Sequence, residues 1–182
     1  MLNAISKTRA LGFSLIEMMI GITILGLLLA AAMPSYRAWM LNAQIRSAAE
    51  SIQNGLQRAR AEAIKRNTPV QFVLGVGNDS SWIVQLPTGG GGGPLGTDPL
   101  INIDARSSNE GSKDVTRAIT LGANIVTFNN IGQPTTGAFT VNLTSTILTA
   151  AESQDLNVTV GFGGNVKMCD PHVGASNPRS CI

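Results

Sequence analysis

From Gly12 to Pro34 the chain reads GFSLIEMMIGITILGLLLAAAMP, and this stretch decides the architecture. Phe13 to Met33 supplies 21 residues. As an α-helix they extend roughly 31 Å, about the thickness of a bilayer's hydrocarbon core. Only Ser14, Glu17 and Thr23 interrupt the segment with polar groups. A carboxylate in hydrocarbon costs about 2.5–3.5 kcal/mol at mid-depth and less near the edge, so Glu17 calls for a reason. The preceding MLNAISKTRALG carries Lys7 and Arg9 and no acid. Those positive charges favour the cytoplasmic side, which sends everything after Met33 across the membrane. Ala30-Ala31-Ala32 imitates a secretory cleavage site. Neither that reading nor a plain single-pass anchor accounts for Glu17 or the Gly12–Phe13 junction. Gly21 and Gly26 permit close helix contacts, although their spacing differs from the small-residue dimerisation motif.

Downstream, the helix is expected to continue past Pro34, which removes one backbone donor and produces a kink rather than a stop. Leu41, Ile45, Ala48, Ala49, Ile52, Leu56, Ala59 and Ala63 recur every three or four residues, one face of an amphipathic helix. Asn42, Arg46, Glu50, Gln53, Gln57 and Arg60 take the other faces, with ion pairs at four-residue spacing predicted for Arg46–Glu50, Arg58–Glu62 and Glu62–Arg66. The helix is predicted to end near Asn67, before Thr68-Pro69, with Lys65 and Arg66 complementing its dipole.

The pattern then changes to short β-like runs: Val70–Leu74, Trp82–Leu86, Leu100–Asp104, Val115–Leu121, Ile125–Phe128, Ala138–Leu143, Asn157–Phe162 and Asn165–Met168. Clusters of Gly, Asn, Pro and Ser separate them, as antiparallel strands require. A helix followed by strands predicts an α+β fold, in which a long N-terminal helix packs on one face of an antiparallel β-rich C-terminal head. The expected divisions are 1–12, a leader; 13–33, a transmembrane and assembly helix; 34–67, an amphipathic helix; and 68–182, the head. The run Gly89–Gly93 lacks a following Gly-Lys-Ser/Thr and reads as a loop, not a phosphate cradle.

The formal charge of +2 misleads, because Lys7 and Arg9 lie in the leader. From Thr68 onward five basic residues face eight acids, so the head carries about −3 and no broad nucleic-acid surface. Cys169 and Cys181 pair as a disulfide in an oxidising compartment. A metal site would have to recruit His172 and Asp170, and the spacing matches no zinc pattern.

A short basic leader, a glycine, then Phe-Ser-Leu-Ile-Glu and an apolar helix resembles the class III signal of type IV pilins and pseudopilins. Gly12, Phe13, Glu17 and Pro34 all fall at that family's spacing. The resemblance implies cleavage by a prepilin peptidase after Gly12 and N-methylation of the new terminal residue, Phe13. It also implies that Glu17 aligns an incoming subunit against the growing filament. Physically, Glu17 sits where it neutralises the α-amino charge of Phe13, its own or a neighbour's, in low dielectric. Further along, RARAEAIKRNTPV from Arg58 to Val70, Trp82, the ITL and VTFNNIGQP stretches and VTVGFGGNVKMC resemble the FimT/FimU and GspH-type pseudopilin subgroup. That subgroup has a long helix, a β-rich head and a minor, low-abundance role.

No catalytic constellation emerges: the one histidine, His172, has no nucleophile brought to it by the sequence, and Asp104, Glu110 and Asp114 match no EF-hand loop. A non-enzymatic protein without cofactor or metal is expected. The resemblance implies a minor type IV pilin in a priming or tip complex for pilus assembly and twitching motility. Its partners would be other minor pilins, the major pilin, the prepilin peptidase and the inner-membrane assembly platform. It would cross the inner membrane once, with the head in the periplasm, and then enter the pilus fibre or tip. Two alternatives stay open: an H-type pseudopilin of a type II secretion system, and a DNA-binding minor pilin for natural transformation. Some FimT-like pilins take up DNA through Gly-Arg-x-Arg. Here Gly164-Asn165-Val166-Lys167 replaces both arginines and their bidentate forks, leaving Lys167, with Arg179, as candidate DNA contacts.

Overall fold

The computed structural model describes residues 12–87 and 102–181. The expected leader, residues 1–12, falls outside them except for Gly12, and the Gly89–Gly93 run falls outside entirely. The chain divides into two compact units, Met1–Arg37 and Ala38–Ile182. One helix, α1, occupies Leu15–Arg66. Among the described residues eight strands follow: β1 (Val70–Leu74), β2 (Trp82–Gln85), β3 (Asn102–Arg106), β4 (Val115–Leu121), β5 (Ile125–Phe128), β6 (Phe139–Ser145), β7 (Leu156–Val160) and β8 (Val166–Cys169). Each corresponds to a run expected from the alternation of side chains, with described ends displaced by at most two residues; Leu100 and Ile101 of the expected Leu100–Asp104 run lie outside the described residues.

The ends of α1 show why it starts and stops there. Ser14 caps the first turn, its Oγ accepting from the Glu17 amide at 3.2 Å. At the other end Asn67 adopts a left-handed φ of 51°. Its amide donates to Ile64 O and the Thr68 amide to Ala63 O, a Schellman closure that satisfies two terminal carbonyls. Asparagine is among the few side chains that tolerate this backbone, and Pro69 prevents any continuation. Pro34 lies inside the helix.

In the second unit, the expected apolar face of α1 is buried from Ile45 to Ala63, joined by Ser51 and Gly55, which the apolar count alone passes over. Both have a packing reason. The Trp82 indole donates to Ser51 Oγ at 2.8 Å, and a Cβ at Gly55 would come within 2.8 Å of the Phe72 ring. The helix therefore passes close over β1 and β2 only because position 55 lacks a side chain.

The strands form two four-stranded antiparallel sheets, ordered β3-β2-β1-β5 and β4-β6-β7-β8, instead of the single sheet face anticipated for the helix. Val70, Phe72, Leu74, Trp82, Val84, Val126 and Phe128 project from the first sheet. Val115, Phe139, Val141, Leu143, Val158 and Val160 project from the second, and both sets join α1 in one core cluster. Splitting the strands lets two sheets cover one helix.

Arg117, on the inward face of β4, is only 5% exposed and ties the sheets together. Its guanidinium donates to the carbonyls of Asp79 at 2.5 Å, Gly75 at 2.5 Å and Gly77 at 2.6 Å, all in the β1–β2 turn. Its amide adds a bond to Asn78 O at 2.7 Å. Burial pushes the guanidinium below its ordinary value, and the Asp79 charge opposes that. Three carbonyl acceptors make a buried cation tolerable here.

Candidate functional site

In the first unit, every described side chain from Phe13 to Met33 is exposed, including Phe13 at 80%. A soluble protein does not leave an uninterrupted apolar helix in water, and α1 contains a window long and apolar enough to cross a membrane. The polar groups within it are handled locally. Thr23 Oγ1 donates to Met19 O at 2.7 Å, the back-bonding that threonine hydroxyls make within helices. Glu17 stands in the first turn, where a negative charge suits the helix dipole. Among the described residues its carboxylate enters no ion pair within the chain. Side chains added at Gly21 or Gly26 would meet nothing within 4 Å, so neither glycine serves packing inside the chain.

In the head, three stretches far apart in sequence meet at one joint. Arg60, on α1, donates from Nε to Gly132 O at 3.1 Å. Gly132 (φ 80°) closes the turn after β5, and a Cβ there would lie 2.8 Å from Ile64 Cδ1. Gly164 (φ 77°) closes the β7–β8 turn, and a Cβ there would collide with the Gly132 carbonyl. Arg60 belongs to RARAEAIKRNTPV, Gly132 to VTFNNIGQP and Gly164 to VTVGFGGNVKMC. The most recognisable motifs of the head thus form a structural junction, and Gly164 has a packing role independent of any ligand.

The basic residues are largely engaged. Arg58 bridges Asp104 on the edge strand β3 at 3.2 Å instead of the expected Glu62, whose carboxylate is engaged by Arg66 and Lys65. Arg66 and Lys65 both reach Glu62, at 2.7 and 3.6 Å, and Arg46 pairs with Glu50 at 2.9 Å as anticipated. The Arg66 hydrogen bond is the principal influence on Glu62 and lowers its carboxyl; partial burial opposes it, and the nearby cations add to the lowering. Among the loop acids, Glu110 faces Arg106 at 3.9 Å and Asp114 accepts from Gln44 at 3.4 Å.

Cys169 and Cys181 are joined in a disulfide, with Cα atoms 4.9 Å apart. The loop so closed places Arg179 3.5 Å from Asp170 and His172 3.4 Å from Asp155. Burial works to raise the Asp155 carboxyl. Hydrogen bonds from Ser153, Thr144 and His172, with the histidine's charge, outweigh burial and hold it below the usual range. Arg179 lines a groove of about 610 Å³ with Trp39, Asn42, Arg46, Leu156 and Met168. Lys167 is exposed on β8, opposite Thr159, and is not in that lining, so the two candidate DNA contacts do not share it.

Sequence reading placed Asn42 among the solvent-facing polar residues. The structure gives it a clamp: Nδ2 donates to Glu152 O and Oδ1 accepts from the Gln154 amide, both at 2.9 Å. Gln44 does the same toward the β3–β4 connection, accepting from the Asp114 amide at 3.2 Å. Neither role has a local signal, since the partners lie 110 and 70 residues away along the chain.

Known proteins resemble both parts. Residues 7–33 match the prokaryotic N-terminal methylation motif, and residues 48–164 match the model for the type II transport protein GspH. Among solved structures, the type IV minor pilin FimU of Pseudomonas aeruginosa shares the fold with a TM-score of 0.53 and 16% identity. That match covers 75% of this chain and 99% of FimU. The minor pseudopilin EpsH from the type 2 secretion system of Vibrio cholerae matches with a TM-score of 0.53 and 16% identity, over 71% of this chain and 99% of EpsH. With the family model spanning well over half of the sequence, behind a methylation motif, the chain belongs to the GspH family.

Proposed function

We propose that this chain is a minor type IV pilin that acts by association, in a complex that primes or tips the pilus. The observation that carries the reading is the exposed apolar segment Phe13–Met33, with a single carboxylate in its first turn, attached to a GspH-type head. Cleavage after Gly12 leaves Phe13 with an α-amino group, which the peptidase then methylates. That amine and Glu17 are charges of opposite sign at the edge of hydrocarbon. Each is costly alone, and pairing between neighbouring subunits offsets much of the cost. Glu17 thereby sets register, apolar helices bundle in the filament core, and Pro34 supplies a point of bending where one backbone donor is missing. Before assembly the segment crosses the inner membrane with Lys7 and Arg9 in the cytoplasm and the head in the periplasm. The other minor pilins, the major pilin, the prepilin peptidase and the assembly platform are its partners in this scheme.

The test is Glu17→Ala with pilus number and twitching as readouts. A large loss of piliation with normal cleavage at Gly12–Phe13 is expected; unchanged piliation and motility would remove the register role. The family model favours a second reading, an H-type pseudopilin, in which the same substitution abolishes protein secretion and leaves pili intact. DNA capture has less support. Lys167 does not line the groove that Arg179 lines, and Asp170 already faces Arg179.

A further inference from the structure

We propose that the Cys169–Cys181 disulfide is a redox-sensitive strap, opened and closed independently of the head's core. Three observations carry this. First, the tail it fastens contributes nothing to the core: from Pro171 to Cys181 no residue is buried. Second, the cystine lies apart from the hydrophobic cluster that unites α1 with both sheets; Cys169, 6% exposed, is not a member of it. Third, the other fastenings are weak. Arg179–Asp170 and His172–Asp155 are ion pairs of 3.5 and 3.4 Å, with the Arg179 and His172 side chains 73% and 60% exposed. Pairs of that kind contribute about 0–1 kcal/mol. Among the described residues, a backbone bond from the Asp170 amide to Arg179 O at 2.8 Å, within the Asp170–Ser180 bridge, and a bond from the His172 amide to Asp170 Oδ1 at 2.9 Å add to these.

The strap controls a surface. Cys169, Asp170 and Arg179 form one wall of the groove whose other walls are Trp39 and Arg46 on α1, and Leu156 and Met168 on β7 and β8. In the oxidised chain Arg179 is held at the rim of that groove. In the reduced chain the tail swings free, Arg179 leaves, and the Cys169 thiol and the end of β8 are uncovered. The two half-cystines differ in exposure: the Cys181 residue is exposed and Cys169 buried. An external dithiol therefore attacks Cys181 Sγ as its thiolate, forming a mixed disulfide and expelling Cys169 as a thiolate that takes up a proton. The dithiol's second sulfur then displaces Cys181, so the dithiol is oxidised to a disulfide as the pair in the chain is reduced. The partner class is a dithiol–disulfide oxidoreductase.

The experiment uses the full-length chain in detergent, with dithiothreitol as the dithiol. Samples before and after reduction are compared for tryptic cleavage after Arg179, for melting of the head by circular dichroism, and for Trp39 fluorescence, with Trp39→Phe assigning the signal. Reduction is expected to raise cleavage at Arg179 by about tenfold or more and to shift Trp39 emission, leaving the head's melting transition in place. Cys181→Ser is expected to reproduce the reduced state without dithiol. Loss of the melting transition on reduction would make the bond a staple of the core and overturn the proposal. An equally protected tail after reduction would overturn it too, by showing that the remaining contacts hold the tail. So would a bond that native-state dithiol leaves intact.

Discussion

The two units of this chain treat the same residue types in opposite ways. From Phe13 to Met33, leucine, isoleucine and methionine face outward along their whole length; from Ile45 to Ala63 the same helix buries its apolar stripe against two sheets. The head satisfies its own hydrophobic requirement and the first unit satisfies none of it. What stabilises Phe13–Met33 therefore lies outside the chain, in lipid or in other helices. A substitution in one unit should be read by a folding measurement and in the other by an assembly measurement.

The largest expected effect comes from matched leucines. Leu56→Ala removes a fully buried side chain from the core and is expected to cost about 3 kcal/mol of head stability. Leu28→Ala, in the exposed segment, should leave the head's melting temperature unchanged while weakening membrane retention or assembly. Equal losses of head stability at both positions would break the comparison. Arg117→Met comes next, because it orphans the carbonyls of Gly75, Gly77 and Asp79. About 2–3 kcal/mol is expected from chemical denaturation, with faster hydrogen exchange in the β1–β2 turn. A smaller loss, about 1–2 kcal/mol, is expected for Gly164→Ala from left-handed backbone strain and the clash with Gly132 O. Arg60→Ala should partly relieve that loss in a double-mutant cycle if the joint is one unit.

The smallest effect concerns pH. The Asp155 carboxyl is held below its unfolded value, so the stability it contributes is complete above about pH 4, the unfolded range, and fades as pH falls through the folded value. Asp155→Asn should thus lower the melting temperature slightly at pH 7 and match the parent at strongly acid pH. A difference that persists in acid would assign the effect to packing.

Much of this was legible in sequence for physical reasons. A period of three to four located the buried face of α1, alternation located the eight described strands, and the Gly12–Phe13–Glu17 spacing pointed to the family. What escaped depends on distance along the chain. The separation into two sheets turns on whether β4 pairs with β3 or β6, which no local pattern encodes. Arg117 resembled any surface cation until the β1–β2 turn was placed beside it. Arg58 chose an edge strand over a helical neighbour, and Asn42 read as solvated. Cysteine pairing, by contrast, needed only two cysteines and an oxidising compartment.

The clamp formed by Asn42 has a mechanical consequence. Its amide group exchanges two hydrogen bonds with residues 152–154, the same donor–acceptor reciprocity by which neighbouring strands join. Two residues along, Gln44 grips the connection into β4. Bonds set side by side across a load give way together, whereas bonds in series open one after another like a zipper. Both grips precede the buried stripe that begins at Ile45, so a pull on the head's helix is expected to load them together before it reaches the core.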